Sequence, residues 1–230
     1  MQIKVAAIVP AAGKGRRIKS KIEKPYIKLC GKPILAHTLL ILSRNKLINE
    51  IIVAVSKKRI DKVRREIINR FKIKKVTLVS GGKERKDSVF NALKGLSNDI
   101  DYVLIHDGIR PFITNSLIKA SLKTAQRFGA CIIAVPVKPT LKYLGKGGRI
   151  QYTPDRRNFW EAQTPQVFRR DLIEQAYKAA CGKKSNVTDD SMLVEEIGVK
   201  PKVVLGSYSN IKITTREDLK LARILYHRLT

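Results

Sequence analysis

Cysteine, aromatic and acidic residues are scarce in this chain, and each shortage removes a class of explanation. The three cysteines, Cys30, Cys131 and Cys181, lie far apart and show no C-x-x-C spacing. That pattern suits reduced thiols in a cytoplasmic protein and argues against a disulfide framework or a zinc site. Aromatic residues make up 6% of the sequence, too few for an interleaved basic and aromatic surface on which nucleic-acid bases stack. No apolar run approaches the ~20 residues that cross a bilayer. The first apolar stretch, residues 3–10, arrives almost at once, without the signature of a secretory or transit leader. A cytoplasmic protein without a membrane partner is the expectation. The shortage of acid, 19 residues against 47 basic ones, leaves a net charge of +28. Such a charge fits a nucleic-acid binder, a membrane-surface protein or an enzyme for polyanionic small molecules. The basic residues are spread over nearly every segment, with no arginine-rich tail, and read mostly as solvated surface.

With 230 residues, 43% of them hydrophobic, the chain can bury a full core. Short, β-branched apolar runs at 3–10, 50–55, 75–80, 101–106 and 131–136 read as strands. Between them 33–44, 58–71, 84–96 and 115–128 have helical period, and Thr114 is placed to cap the last of these. This alternation predicts an α/β, Rossmann-like, mostly parallel sheet with helices on both faces. After Pro136 the rhythm breaks. Residues 138–153 carry Gly145, Gly147 and Gly148 between apolar-rich stretches and read as a protruding β-hairpin arm. The chain then returns through 159–168, with helices near 171–181 and 189–197, a strand at 202–205 and a final helix over 215–228. One domain, 1–230, with an arm at 138–156, is expected.

The first strand runs into Pro10-Ala11-Ala12-Gly13-Lys14-Gly15-Arg16-Arg17. Small residues there let backbone N–H groups approach phosphate oxygens, at the strand end where open α/β sheets bind ligands. The string matches neither the Walker loop nor the dinucleotide fingerprint, since Ile18 stands where the latter needs a small residue. Lys14, Arg16, Arg17 and Lys24 add positive charge to the loop.

At this loop the sequence resembles the pyrophosphorylase-type nucleotidyltransferases, which open with a strand and P-A-A-G-x-G-x-R followed by a lysine. Further strings occur in order: Ser80-Gly81-Gly82-Lys83-Glu84-Arg85-Lys86-Asp87-Ser88-Val89, His106-Asp107-Gly108-Ile109-Arg110-Pro111, Gln163-Thr164-Pro165-Gln166-Val167-Phe168 and Asn210-Ile211-Lys212-Ile213-Thr214. Together they resemble the 2-C-methyl-D-erythritol 4-phosphate cytidylyltransferase family along nearly the whole chain. The resemblance implies CTP as donor, a polyol phosphate as acceptor, Mg²⁺ or another divalent cation as cofactor, and a homodimer joined through the arm. It implies that Arg17 and Lys24 stabilise the transition state while Arg156 and Lys212 hold the acceptor phosphate. Pro10, Ala11, Ala12, Gly13, Gly82 and Ser88 match CTP-binding positions. Asp107, Thr140 and Thr164 match positions around the acceptor, with Asp107 also a metal-ligand candidate. Three places depart from the family pattern: Glu23 and Pro25 beside Lys24, Lys83 where aspartate is common, and Ser209 where an acid often precedes Asn210. Relatives using ribitol 5-phosphate share much of the pattern.

The residues suit such a reaction. A phosphate monoester is largely ionised at neutral pH, because its second pKa is about 6, so the nucleophile needs no general base. The absence of a Ser-His-Asp set among three histidines then follows naturally. What the reaction needs is positive charge at the phosphates, which Lys24, Arg17 and Lys212 would supply. Asp107 has a second reading as a turn aspartate ahead of Arg110-Pro111, and His37, His106 and His227 read as structural. Trp160 is expected to pack in the core at the root of the arm. A basic nucleic-acid-binding protein is the rival from another class, and a nonenzymatic phosphate-binding module a third; specific nucleic-acid binding is not expected.

Overall fold

The computed structural model describes residues 3–13, 23–182 and 187–229. Within them the alternation read from the sequence forms β1 (Val5–Pro10), a 3₁₀ turn (Lys24–Tyr26), a small hairpin of β2 (Lys28–Leu29) and β3 (Lys32–Pro33), α1 (Ile34–Arg44) and β4 (Glu50–Val55). There follow α2 (Ile60–Val63), which continues into a π-helical turn (Arg64–Asn69), then β5 (Val76–Ser80), α3 (Arg85–Leu93), β6 (Tyr102–Ile105), α4 (Asn115–Phe128) and β7 (Ala130–Pro136). The arm holds β8 (Tyr143–Leu144) and β9 (Ile150–Tyr152). The chain ends with β10 (Trp160–Arg169), α5 (Arg170–Ala179), α6 (Asp190–Glu196), β11 (Lys202–Leu205) and α7 (Arg216–Leu229).

Seven strands form one sheet in the order β11-β7-β10-β6-β1-β4-β5. The pairs β1/β4, β1/β6, β4/β5 and β7/β11 are parallel, while β10 runs antiparallel to both β6 and β7. The strand period of two explains why β1 is apolar at every position. Val5, Ala7 and Val9 face a core layer built from α1, α2 and α4, whereas Ala6 and Ile8 face α3, α5 and α6. A smaller cluster of Leu29, Ile34, Phe112, Ile213 and Ala222 fastens α7 to the β2–β3 hairpin. That hairpin turns on Cys30 and Gly31, both at positive φ (44° and 84°), as a two-residue primed turn requires.

Thr114 caps α4 as expected, its hydroxyl accepting from the Leu117 N–H. Gly129, at φ +81°, closes the same helix through its N–H to the Ala125 carbonyl. Two expectations are corrected. Residues 58–71 do not form one regular helix, because i→i+5 bonds from Arg70 to Arg65 and from Ile73 to Ile68 widen the later turn. Trp160 is 44% exposed rather than buried in the core. The first three residues of β10, Trp160 to Ala162, pair with Pro136, Val135 and Ala134 at the end of β7 and are all exposed, so no layer of the described residues buries them.

Candidate active site

Moving outward from β1, the connections travel one way through β4 and β5 and then reverse to β6. Such a reversal opens a crevice at the carboxyl ends of the strands. A cleft of about 880 Å³ lies there. Pro10 to Gly13 enter it from β1, Ser56 and Lys57 from β4, Ser80 to Gly82 from β5, and Asp107 from β6. Lys24 comes from the 3₁₀ turn and Lys212 from the segment after β11.

The loops meet because their residues are small. The Ala11 N–H bonds the Ala54 carbonyl and the Gly81 N–H bonds the Val55 carbonyl, each at 2.8 Å, so both loops leave the sheet hydrogen-bonded to β4. A Cβ on Gly81 would lie 2.4 Å from the Ala12 Cβ. Glycine is what allows the two candidate phosphate loops to touch. Gly82 donates to the Ser88 hydroxyl at 3.0 Å, and that hydroxyl donates to the Glu84 carbonyl. Glu84 and Asp87 form a capping box that starts α3.

Asp107 anchors the charge of the cleft. Its Oδ1 accepts from Arg85 Nε at 3.1 Å and its Oδ2 from Lys212 Nζ at 2.8 Å, with Arg110 Nε at 3.6 Å. Burial by itself would raise its pKa, but Arg85, Lys212 and Arg110 overcome that effect and hold the carboxyl well below the usual range. Arg85 reaches in the other direction to Asp190, Nη2 to Oδ2 at 2.7 Å, and Asp190 also accepts from the Tyr177 hydroxyl at 2.6 Å. Burial opposes the charge of Arg85, yet Asp190 and Asp107 raise its pKa well above the ordinary value. The Ile213 N–H bonds the Ile109 carbonyl at 3.0 Å, which ties the segment bearing Lys212 to the loop after Asp107.

Behind Asp107 runs a chain of hydrogen bonds. The Asp107 N–H donates to Thr164 Oγ1, Thr164 pairs with His106 Nδ1, and His106 Nε2 meets the Arg110 carbonyl, each at 3.0 Å. A carbonyl only accepts, so Nε2 carries the proton and Nδ1 receives the Thr164 O–H. His106 is fully buried, and burial lowers its pKa to about 4. The unfolded imidazole, at about 6.5, binds its proton more tightly than the folded one. Stability linked to this group is therefore complete above pH 6.5 and lost as pH falls toward 4, amounting to about 3 kcal/mol. In ¹⁵N-labelled protein at pH 5.5, His106 should remain neutral with its proton on Nε2. An imidazole titrating near pH 6.5 would contradict this network.

Pro10, Ala11, Ala12, Gly13, Gly82, Ser88, Lys24, Asp107 and Lys212 all line the cleft. Thr164 lies beneath it, with its hydroxyl engaged by Asp107 and His106. Thr140 and Arg156 are exposed on the arm and are not among the residues that line the cleft in this chain. Arg156 donates to the Lys138 carbonyl, and Tyr143 stacks on Tyr152 with ring centres 4.8 Å apart. Arg17 lies outside the described residues. The sequence reading assigned no role to Ser56, Lys57, Arg85, Asp190 or Thr214. Arg85 stands inside the Ser80–Val89 string, but its link to Asp190 spans 105 residues and leaves no local signal. Gly108 packs on the core, since a Cβ there would come 2.9 Å from Leu35 Cδ1. Lys83 lines the cleft, and Ser209 lies in the turn closed by the Asn210 N–H to the Ser207 carbonyl.

Among the described residues no three His, Cys, Asp or Glu side chains gather as a metal cage. Mg²⁺ commonly takes one or two carboxylates and draws its other ligands from substrate phosphates and water. Asp107 fits that part, because each of its oxygens has lone-pair capacity beyond the hydrogen bond it accepts. Among the described residues no helix is long and apolar enough to cross a membrane.

The chain matches the family model described as 2-C-methyl-D-erythritol 4-phosphate cytidylyltransferase over residues 5–228. It is 46% identical over 220 residues to the protein of that name from Alkaliphilus oremlandii, covering 95% of this chain and 93% of the relative. It is 45% identical over 217 residues to the one from Clostridioides difficile, covering 94% and 91%. The crystal structure of 4-diphosphocytidyl-2C-methyl-D-erythritol synthase from Anaerococcus prevotii superposes with a TM-score of 0.88 at 35% identity, covering 99% of this chain and 97% of that one. By its sequence and its fold alike, the chain belongs to the 2-C-methyl-D-erythritol 4-phosphate cytidylyltransferase family.

Proposed function

We propose that this protein transfers CMP from CTP to 2-C-methyl-D-erythritol 4-phosphate, giving 4-diphosphocytidyl-2-C-methyl-D-erythritol and pyrophosphate, in non-mevalonate isoprenoid precursor synthesis. The observation that carries this reading is the convergence of two small-residue loops with Lys24 and Lys212 on one cleft. An acceptor phosphate oxygen attacks the α-phosphorus of CTP; the new P–O bond forms as the bond to the bridging oxygen breaks, and that electron pair leaves with pyrophosphate. Pro10 to Gly13, with Gly82 and Ser88, bind CTP. Lys24 and Arg17 offset the charge that gathers on the leaving group. Lys212, on Asp107, holds the acceptor phosphate together with Arg156, and Thr140 and Thr164 complete the acceptor side. Asp107, together with the nucleotide phosphates, would hold Mg²⁺, which would supply further neutralisation of phosphate charge. The whole chain, 1–230, works as one nucleotidyltransferase domain in the cytoplasm. The free thiols of Cys30, Cys131 and Cys181 are compatible with that compartment.

An acceptor panel with CTP and Mg²⁺ tests the reading. Pyrophosphate and the CDP-linked product are expected with methylerythritol phosphate and a divalent metal, and not when either is left out. Equal turnover of ribitol 5-phosphate would move the assignment to that acceptor, and no turnover with any polyol phosphate would overturn the reading.

The arm, 138–156, joins two chains into a homodimer in this proposal and carries Thr140 and Arg156 to the partner's cleft. What supports it is the uncovered apolar surface there: Tyr143, Leu144, Ile150 and Tyr152 are all more than half exposed. Mixing inactive Lys24→Ala and Arg156→Ala chains would then create one intact site in each mixed dimer. With random exchange at equal amounts, about a quarter of wild-type activity should return. Activity that stays at the level of the separate variants, with mixed dimers shown to form, would mean that Arg156 serves its own chain.

A further inference from the structure

A second cavity, of about 380 Å³, lies between the β2–β3 hairpin and the widened helix, and among the described residues its lining shares none with the cleft. Its volume is within the range of small-molecule sites, which pair an apolar lining with a few polar groups. Pro33, Val63, Ile67 and Phe71 supply the apolar part, with the Tyr26 ring. Among the described residues of the lining, Lys28, Arg59, Lys62 and Arg70 supply four cations against one carboxylate, Glu66. Lys62 pairs with Glu66 at 3.6 Å, and Arg59 lies over the Tyr26 ring at 5.3 Å while pairing with Glu23 at 3.6 Å. The Tyr26 hydroxyl is buried and has no hydrogen-bond partner among the described residues. The hydroxyl itself has almost no accessible surface, so the Tyr26 ring is the part that the cavity offers to a ligand. The π-helical turn that brings Ile67 to the cavity, with Arg70 just beyond it, is a feature concentrated at functional sites.

We propose that this cavity is a second binding site, for a small organic anion that sets a phosphate-like head among the cations and an apolar body against Tyr26, Ile67 and Phe71. The site communicates with the cleft through one turn of chain. Lys24 and Pro25 line the cleft, Tyr26 lines the cavity, and the three form a single 3₁₀ turn closed by the Ile27 N–H to the Lys24 carbonyl at 3.2 Å. A ligand that moves Tyr26 therefore moves Lys24, and turnover changes with it. This coupling rests on the role proposed above for Lys24; the binding does not.

The test uses 1-naphthyl phosphate as probe, with 1-naphthol and inorganic phosphate as separate arms for body and head. Binding is followed by fluorescence with the cleft filled by CTP and Mg²⁺ and no acceptor present. One probe per chain is expected, bound about 10-fold or more tightly than either arm compound, with affinity about 10-fold weaker in Arg59→Ala/Arg70→Ala and CTP affinity unchanged. Should that variant fail to fold, Lys28→Ala/Lys62→Ala removes two exposed cations of the same lining and is expected to weaken the probe in the same direction. Displacement of the probe by CTP, equal binding of inorganic phosphate, or indifference to these substitutions would overturn the site. Bound probe with unchanged kcat would overturn the coupling alone.

Discussion

Replacing Lys24 with alanine is expected to lower kcat by ~10²-fold or more while leaving the affinity for CTP much less affected. The reason lies in where charge moves. In the proposed reaction the triphosphate is held chiefly by backbone groups of the Pro10–Gly13 and Gly82 loops before the chemical step, whereas in the transition state negative charge grows on the departing pyrophosphate. A lysine whose contact strengthens as that charge grows lowers the barrier rather than KM. Lys24 is suited to this work because it is 5% exposed at the edge of the cleft, where little water screens it. Arg17→Ala is expected to act in the same direction. Single-turnover measurements with saturating CTP separate the two parameters. Full kcat in Lys24→Ala would remove this residue from the mechanism.

Asp190→Ala is expected to cost about 3 kcal/mol of folding stability, although Asp190 lies outside the cleft lining. Its carboxylate is fully buried and binds both Arg85 and the Tyr177 hydroxyl. Its removal strands the guanidinium beside an apolar layer. The loss stays at the lower end for a broken buried pair, because the Arg85 side chain keeps 28% of its surface exposed and retains Asp107. Asp190→Asn should lose less, since an amide oxygen still accepts from Tyr177. Turnover should also fall in both variants, as Arg85 shifts toward Asp107 and disturbs its pairing with Lys212. Chemical denaturation measures the first effect and steady-state kinetics the second. A stability change under about 0.5 kcal/mol would show that Arg85 does not depend on Asp190.

Taken by itself, the sequence determined the alternation of strands and helices, because both depend on neighbours a few residues apart. A doubly covered strand such as β1 must be apolar throughout, Thr114 and Gly129 mark the ends of α4, and small residues at Pro10–Gly13 mark a loop that comes close to something. The small-residue loops, Lys24, Asp107 and Lys212, which the structure gathers around one cleft, were legible as short strings that resemble the family's. Only the tertiary structure decided what depends on distant partners. The insertion of β10 against the direction of β6 and β7, the joining of Arg85 to Asp190 across 105 residues, and the His106–Thr164 chain behind Asp107 have no periodic trace. Trp160 shows the same limit from the other side: its chemistry suits a core, but burial depends on whether another layer reaches it, and among the described residues none buries the first three residues of β10. Local pattern follows from the chain's own stereochemistry, whereas charge pairing and cover are properties of surfaces that meet only when the sheet has closed.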